Sequence, residues 1–385
     1  MKIFSFKNKY NMPSVDYGLI WTSLLLLGIG LVMVYSASIE IAASRNAFDY
    51  QNYYFLLRQS VYILIGFMFG YITFLIPVYF WQKMAPFLFV LGIILLIIVL
   101  AVGVEINRSQ RWIPLGVVNF QPSELVKLFT VMYASDYVLR KSKQMRTIVK
   151  GFLPMLGVIV LTGILLLRQP DFGALAVITM IAMGVLFLGG ISYKVISGLV
   201  ISAPIIIYFL IKSSQERSNR ITAWVDPWSV PLGEGYQLVN ALMAFGRGEF
   251  FGVGLGGSVA KMGYLPDAHT DFLLAILGEE FGLFGVAIVI GLFSYLVLKI
   301  FGIAKESIQN KKHFSALMAQ GIAIWFAVQG LINIGVNLGA VPTKGITLPL
   351  MSYGGTGILV NMVALAIILR IDNDNRSNMR GQYYK

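Results

Sequence analysis

The chain of 385 residues is 57% hydrophobic and 12% charged, with a mean hydropathy of +0.76. Soluble domains run at about 45–50% apolar and 25% charged, so a soluble enzyme, a disordered chain and a coiled coil are excluded. The net charge of +12 collects in short loops between apolar runs, which argues against a nucleic-acid surface. With no cysteine and two histidines, disulfides, thiolate metal sites and all-histidine metal clusters are excluded as well.

Lys2, Lys7 and Lys9 precede an apolar run at 17–38 that ends in Ser36-Ala37-Ser38. That run exceeds the ~7–15 residues of a signal core and reads as a retained first span. Nine further apolar runs follow at 59–78, 85–104, 122–139, 149–167, 171–190, 194–212, 271–299, 315–339 and 349–370. Each has roughly spanning length, which predicts an all-α, polytopic integral membrane protein of about ten transmembrane helices. No internal repeat divides it, so residues 1–385 read as one domain, with terminal segments at 1–16 and 371–385. An even number of spans puts both termini on one side. Eighteen Lys and Arg lie on that side, against six in the short opposite loops (Arg45, Arg58, Arg108, Arg111, Arg168, Lys344), so both termini are expected in the cytoplasm.

Residues 213–270, between the seventh and eighth spans, far exceed the ~12–15 residues at which loops become functional or disordered. Their glycine and aromatic content predicts an ordered extracytoplasmic cap, with Tyr236 to Phe245 as an interfacial helix. Gly252, Gly254 and Gly257 fit G-x-G-x-x-G, but no βαβ unit surrounds them, so dinucleotide binding is rejected.

Charge at membrane depth is costly and suggests function. Glu124 and Lys127 are spaced i, i+3 behind Gln121-Pro122, as a self-neutralising pair or a functional one. Asp271, in Ala268-His269-Thr270-Asp271-Phe272, reads as a helix cap or a reactive carboxylate. Glu279 and Glu280 follow on the same span; one such carboxylate reads as a buried structural group, but three acids in ten residues are harder to explain by packing alone. His269, two residues from Asp271, would not share a helix face with it, which disfavours a metal site made by the two alone. His313 reads as solvated in a basic loop. Pro342-Thr343-Lys344-Gly345 and Pro349 to Gly355 read as a broken or re-entrant start to the last span. Lys344 there is an anion ligand or a snorkelling anchor. These acids and bases gather at the outer ends of spans, which points to a site on the extracytoplasmic face.

Several stretches carry a resemblance: Arg111-Trp112-Ile113, Gln121 to Lys127, Gln169 to Gly173, Arg217 to Pro227 and Glu234 to Gln237. Gly252 to Gly257, Leu265 to Phe272 and Pro342 to Gly355 complete it. Together they resemble the SEDS family (shape, elongation, division and sporulation), in order and over essentially the whole chain. Pro-Thr-Lys-Gly at 342–345 is most like the family's division branch, whereas Asn119 stands where some relatives are basic.

The resemblance implies a peptidoglycan glycosyltransferase that polymerises lipid II in the bacterial cytoplasmic (inner) membrane, at the division septum. It implies a class B penicillin-binding protein and other divisome membrane proteins as partners, and no nucleic acid. Asp271 matches the family's essential aspartate and is the expected general base. Arg111, Arg220 and Lys344 are candidates for the diphosphate, with Glu124 and Lys127 in support, and His269 and Ser352 complete the substrate-binding candidates. No cofactor is evident, and a divalent cation at Asp271 is left open. A lipid II flippase and a non-catalytic scaffold remain as alternatives.

Overall fold

The computed structural model describes residues 15–44, 51–106, 109–114 and 119–383. Most of the N-terminal segment, with Lys2, Lys7 and Lys9, lies outside the described residues, as do Arg45, Arg108 and Lys385. A helix occupies each of the ten apolar runs: α1 (Tyr17–Ser44), α2 (Tyr54–Leu75), α3 (Val78–Val102), α4 (Pro122–Arg140), α5 (Leu153–Arg168), α6 (Phe172–Leu188), α7 (Tyr193–Lys212), then α10 (Leu273–Gln309), α11 (His313–Asn337) and α12 (Gly355–Tyr383). Two further helices, α8 (Gln215–Val225) and α9 (Tyr236–Gly248), form part of the long segment between α7 and α10. Seven of the described helices are long and apolar enough to cross a membrane, α5 among them once its lead-in from Ile148 is counted. In hydrocarbon a helix satisfies its own backbone, so such runs have little alternative to this conformation. α4 is more polar because it runs inside the bundle, where Ser123, Glu124, Lys127 and Asp136 are all buried.

One end of the bundle is closed by charge. The Asp16 carboxylate meets Lys299 at 3.2 Å and Arg376 at 3.3 Å, while its backbone N–H donates to Asp372 at 2.6 Å. The start of α1 therefore sits beside the later turns of α10 and α12, which places the first and last helices' outer termini at the same end.

The opposite end departs from a pure helical bundle. Between α3 and α4 the chain forms a small antiparallel sheet, β1 (Val104–Ile106), β2 (Ser109–Pro114) and β3 (Asn119–Phe120), with β2 central. Strands this short carry no periodicity a sequence reading can detect. The last span also begins later than expected. Residues 341–354 run as irregular chain, much of it buried, and α12 starts only at Gly355. Its turn is held by the Leu348 N–H donating to Ser352 Oγ at 2.9 Å. Such backbone is tolerated at membrane depth because protein covers it.

The segment 213–270 is not simply an outer cap, because part of it threads into a break in α10. At Gly282 the backbone turns to φ 65°, ψ −165°, and the helical hydrogen bonds lapse. The irregular run 249–254 fills the gap: Val253 and Gly254 N–H donate to the carbonyls of Glu279 and Glu280, both at 3.0 Å. Leu283 and Phe284 N–H donate to those of Glu249 and Phe250. A Cβ on Gly252 would fall 2.2 Å from the Glu280 carbonyl oxygen, and its φ is +80°, so glycine is required there. Of the three glycines in the pattern, Gly252 thus serves close backbone approach to α10.

Candidate functional site

Asp271 lies in the turn that precedes α10, and it does not cap that helix. The N-cap position is Phe272, without a side-chain cap, and the Ala275 N–H is shared between the Phe272 carbonyl at 3.0 Å and Asn337 Oδ1 at 3.1 Å. The Asp271 carboxylate is thereby left for other work. It faces the 344–346 chain closely enough that a Cβ on Gly345 would lie 2.9 Å from Asp271 Oδ2. Burial pushes its pKa up to about 7, helped by Asp267 and more weakly by Asp171, while Arg111 pulls the other way.

Arg111 projects from β2. Its guanidinium donates to the Pro170 carbonyl and sits 3.8 Å from Asp171. Asp171 caps α6 by accepting from the Ala174 N–H at 3.1 Å, and it accepts from Ser123 Oγ at the same distance. The next residue, Phe172, is flanked by two cations: Lys344 Nζ lies 5.0 Å from the ring centroid and the Arg217 guanidinium carbon 4.5 Å. The ring quadrupole stabilises both. Arg111, Arg217 and Lys344, from three separate stretches, thus gather around Asp171-Phe172.

Glu124 and Lys127 form the expected pair at 2.7 Å, buried in the first two turns of α4. Lys127 also donates to Gln329 Oε1 at 2.8 Å, so the pair is anchored to α11. The His269 ring packs against Phe55, at 4.5 Å between centroids, and against Tyr353 at 5.5 Å. Its carbonyl accepts from the Tyr353 N–H at 3.0 Å, which ties the Asp271 turn to the start of α12. Ser352 is buried with its hydroxyl committed to the Leu348 turn. Arg220 stands 3.7 Å from Glu234 within the long segment, whereas Arg217, one helical turn earlier, reaches Phe172.

Glu279 and Glu280 are accounted for by packing after all. Glu280 accepts from Lys261 Nζ at 2.8 Å and from Ser36 Oγ at 2.7 Å. Glu279 accepts from Arg247 at 2.7 Å, from Val259 and Ala260 N–H, and from Ser258 Oγ. Both carboxylates bolt the threaded segment into the break of α10. Among the described residues no three acidic, histidine or cysteine side chains converge on a metal position. A divalent cation at Asp271 would need oxygens from the substrate.

Sequence reasoning missed a set of uncharged groups. Gln329, Asn333 and Asn337 form a stripe on α11 at i, i+4 and i+8, all buried. Asn333 Nδ2 donates to the carbonyls of Asp271 at 2.8 Å and Ile346 at 2.7 Å, and Asn337 Nδ2 donates to the Asp271 carbonyl at 2.9 Å. Gln329 Nε2 donates to the Thr347 carbonyl at 2.9 Å. The signal was available as three amides repeating every fourth residue in an otherwise apolar span.

The sequence matches the FtsW/RodA/SpoVE family of cell cycle proteins over residues 17–377. It is 50% identical over 374 residues to the probable peptidoglycan glycosyltransferase FtsW of Burkholderia thailandensis, covering 96% of this chain and 81% of that one. Identity to the corresponding protein of Aromatoleum aromaticum is 51% over 373 residues, covering 96% and 91%. Among solved structures, a chain from a peptidoglycan synthase complex that coordinates polymerization and crosslinking is similar in fold, with a TM-score of 0.77 at 24% identity over 94% of this chain and 99% of that one. The rod shape determining protein RodA of Thermus thermophilus gives 0.68 at 25% identity, over 95% and 99%. Motifs, fold and relatives agree, and the chain belongs to the FtsW/RodA/SpoVE family of multi-pass membrane proteins.

Proposed function

We infer that this chain is a peptidoglycan glycosyltransferase that polymerises lipid II, with Asp271 as general base. The observation that carries the assignment of the base is a carboxylate free of any capping duty that faces the chain at Gly345, next to Lys344, with its pKa raised by burial to about 7. A base works best when its pKa lies near the operating pH. Asp271 takes the proton of the acceptor's 4-hydroxyl as that oxygen forms its bond to the donor's anomeric carbon. The bond from that carbon to the undecaprenyl diphosphate oxygen breaks, and the electron pair leaves with the diphosphate. Attack opposite the leaving group inverts the anomeric centre, converting an α-linked donor into a β-linked strand.

The departing diphosphate needs cations and no acid, and Arg111, Lys344 and Arg217 supply charge-assisted contacts to it. Arg220, with Glu234, orients the segment that carries Arg217. Glu124 and Lys127 hold α4 to α11, and His269 and Ser352 hold the turns on either side of the site. The Lys and Arg distribution supports cytoplasmic termini and an outward-facing site, where the substrate must carry its own activation. Kinship with division-type relatives supports a place at the septum in the bacterial cytoplasmic membrane. It also supports work beside a class B penicillin-binding protein and other divisome membrane proteins. A flippase would need polar groups free along the path of a headgroup, and the deeper acids Glu279 and Glu280 are consumed by internal pairs.

The test is polymerisation of purified lipid II by purified protein with its partner, read as glycan strands on a gel. Wild type should make polymer, and Lys344→Met should lose at least tenfold in rate, a transition-state loss of about 1.4 kcal/mol or more. Near-normal polymer from the Met variant would make Lys344 an interfacial anchor, and none from wild type would return the flippase to first place.

A further inference from the structure

We propose that Asn333 is a positioning residue for the transfer, setting the separation between the base Asp271 and the cation Lys344 by gripping both of their chain segments with one side-chain amide. The proposal rests on the assignment of Asp271 and Lys344 to the reaction and adds what holds them in register.

The two segments are joined directly by the Tyr353 N–H bond to the His269 carbonyl, nine residues beyond Lys344, and that bond leaves the spacing at Asp271 and Lys344 themselves to other contacts. Asp271 sits in a turn ahead of α10, and Lys344 in irregular chain ahead of α12, so neither is fixed by a helical ladder. Each side-chain amide N–H2 has two hydrogens, and Asn333 spends one on each segment: the Asp271 carbonyl at 2.8 Å and the Ile346 carbonyl at 2.7 Å. Both bonds lie inside the normal range for N–H to oxygen. Ile346 is two residues from Lys344, and its own N–H donates back to the Lys344 carbonyl at 3.0 Å. The chain from Asn333 to the lysine is therefore short and hydrogen-bonded throughout. The fit leaves little slack, because a Cβ on Gly345 would come within 2.9 Å of the Asp271 carboxylate.

The flanking amides divide the labour. Asn337 holds only the Asp271 side, through that carbonyl and the Ala275 N–H. Gln329 holds only the Lys344 side, through the Thr347 carbonyl, while it accepts from Lys127 and Trp325. Asn333 stands between them, 1% exposed, and bonds both sides. Spaced by one helical turn each, the three amides make α11 a rigid ruler against which the reactive groups are set. Misplacing a reacting group by about 1 Å can cost on the order of a hundredfold in rate.

A buried amide that merely satisfies carbonyls would affect stability and nothing else, so the test separates the two roles. Asn333→Ala and Asn333→Gln are assayed for lipid II polymerisation beside Asn375→Ala. Asn375 is equally buried at the other end of the bundle, where it donates to the Ile303 carbonyl and Ser307 Oγ. Asn333→Gln keeps both donors but moves them by one methylene. The expected result is a loss of at least tenfold in kcat for both Asn333 variants, with KM for lipid II within about twofold. Asn375→Ala should lose comparable thermal stability and keep its kcat. Wild-type kcat in either folded Asn333 variant overturns the proposal, as does failure of both to accumulate in the membrane, which would make the residue a folding determinant only. Asp271→Asn is run in parallel: polymer from that variant would remove the base assignment itself, whatever Asn333 does.

Discussion

Lys261→Met offers a quantitative test of how the threaded segment is held in α10. Lys261 is 4% exposed and Glu280 is fully buried, with 2.8 Å between ammonium and carboxylate. Removing the lysine leaves Glu280 with Ser36 as its remaining side-chain donor. Breaking a buried pair by deleting one partner costs about 3–5 kcal/mol, because the other charge stays behind uncompensated. Arg247→Met makes the contrast. Glu279 would still accept from Ser258, Val259 and Ala260, and the Arg247 side chain is 47% exposed. Solvent screening at such a position limits the loss to about 1 kcal/mol. Replacing both members, Lys261→Met with Glu280→Gln, should recover much of the loss, since no stranded charge remains. The assay is the unfolding free energy in mixed micelles for the two singles and the double, closed as a mutant cycle. If Lys261→Met were as mild as Arg247→Met, the buried pair would not be what fastens the segment.

Two further outcomes concern Asp271 in the proposed role of base. With the Asp271 pKa near 7, ionised base rises with pH, so the polymerisation rate should climb about tenfold from pH 6 to pH 8 in the absence of divalent cation. A cation bound to the carboxylate would shift that midpoint to lower pH, and a flat profile without one would show that burial does not control the base. Gly345→Ala places a methyl 2.9 Å from Asp271 Oδ2 and should cut kcat about tenfold while thermal stability stays within experimental error. An unaltered rate would mean that the 344–346 chain and Asp271 are not packed together.

The helices were legible because hydrocarbon allows an apolar run of spanning length few other conformations, and each of the ten runs carries one. Asp271, Lys344 and the Glu124–Lys127 pair drew notice because charge at membrane depth needs a reason, and Arg111 through the motif it shares with the family. The break at Gly282 was not, since it depends on backbone bonding between 249–254 and 279–284, which no local pattern encodes. The same distant pairing explains why Glu279 and Glu280 read as functional acids when they are structural anchors. Asp271 as a helix cap was a sound local reading, overridden because α10 starts one residue later, with Phe272 at the N-cap and the Ala275 N–H shared by the Phe272 carbonyl and Asn337. Arg217 and Arg220 were indistinguishable without α8, whose orientation decides which of them reaches Phe172. The amides of α11 escaped notice because, uncharged, each alone is unremarkable in a span; only their four-residue repeat marks them.

Polymerisation of purified lipid II by Asp271→Asn bears most directly on the central claim. The amide is nearly isosteric, and both hydrogen bonds from α11 fall on the Asp271 backbone carbonyl, so fold and membrane insertion should be unaffected. Removing a carboxylate beside a diphosphate also removes repulsion, so lipid II binding should persist. Asp271→Asn should fold, bind lipid II and its partner, and make no glycan strand under conditions where wild type does. Strands of wild-type length and yield from Asp271→Asn would contradict that claim.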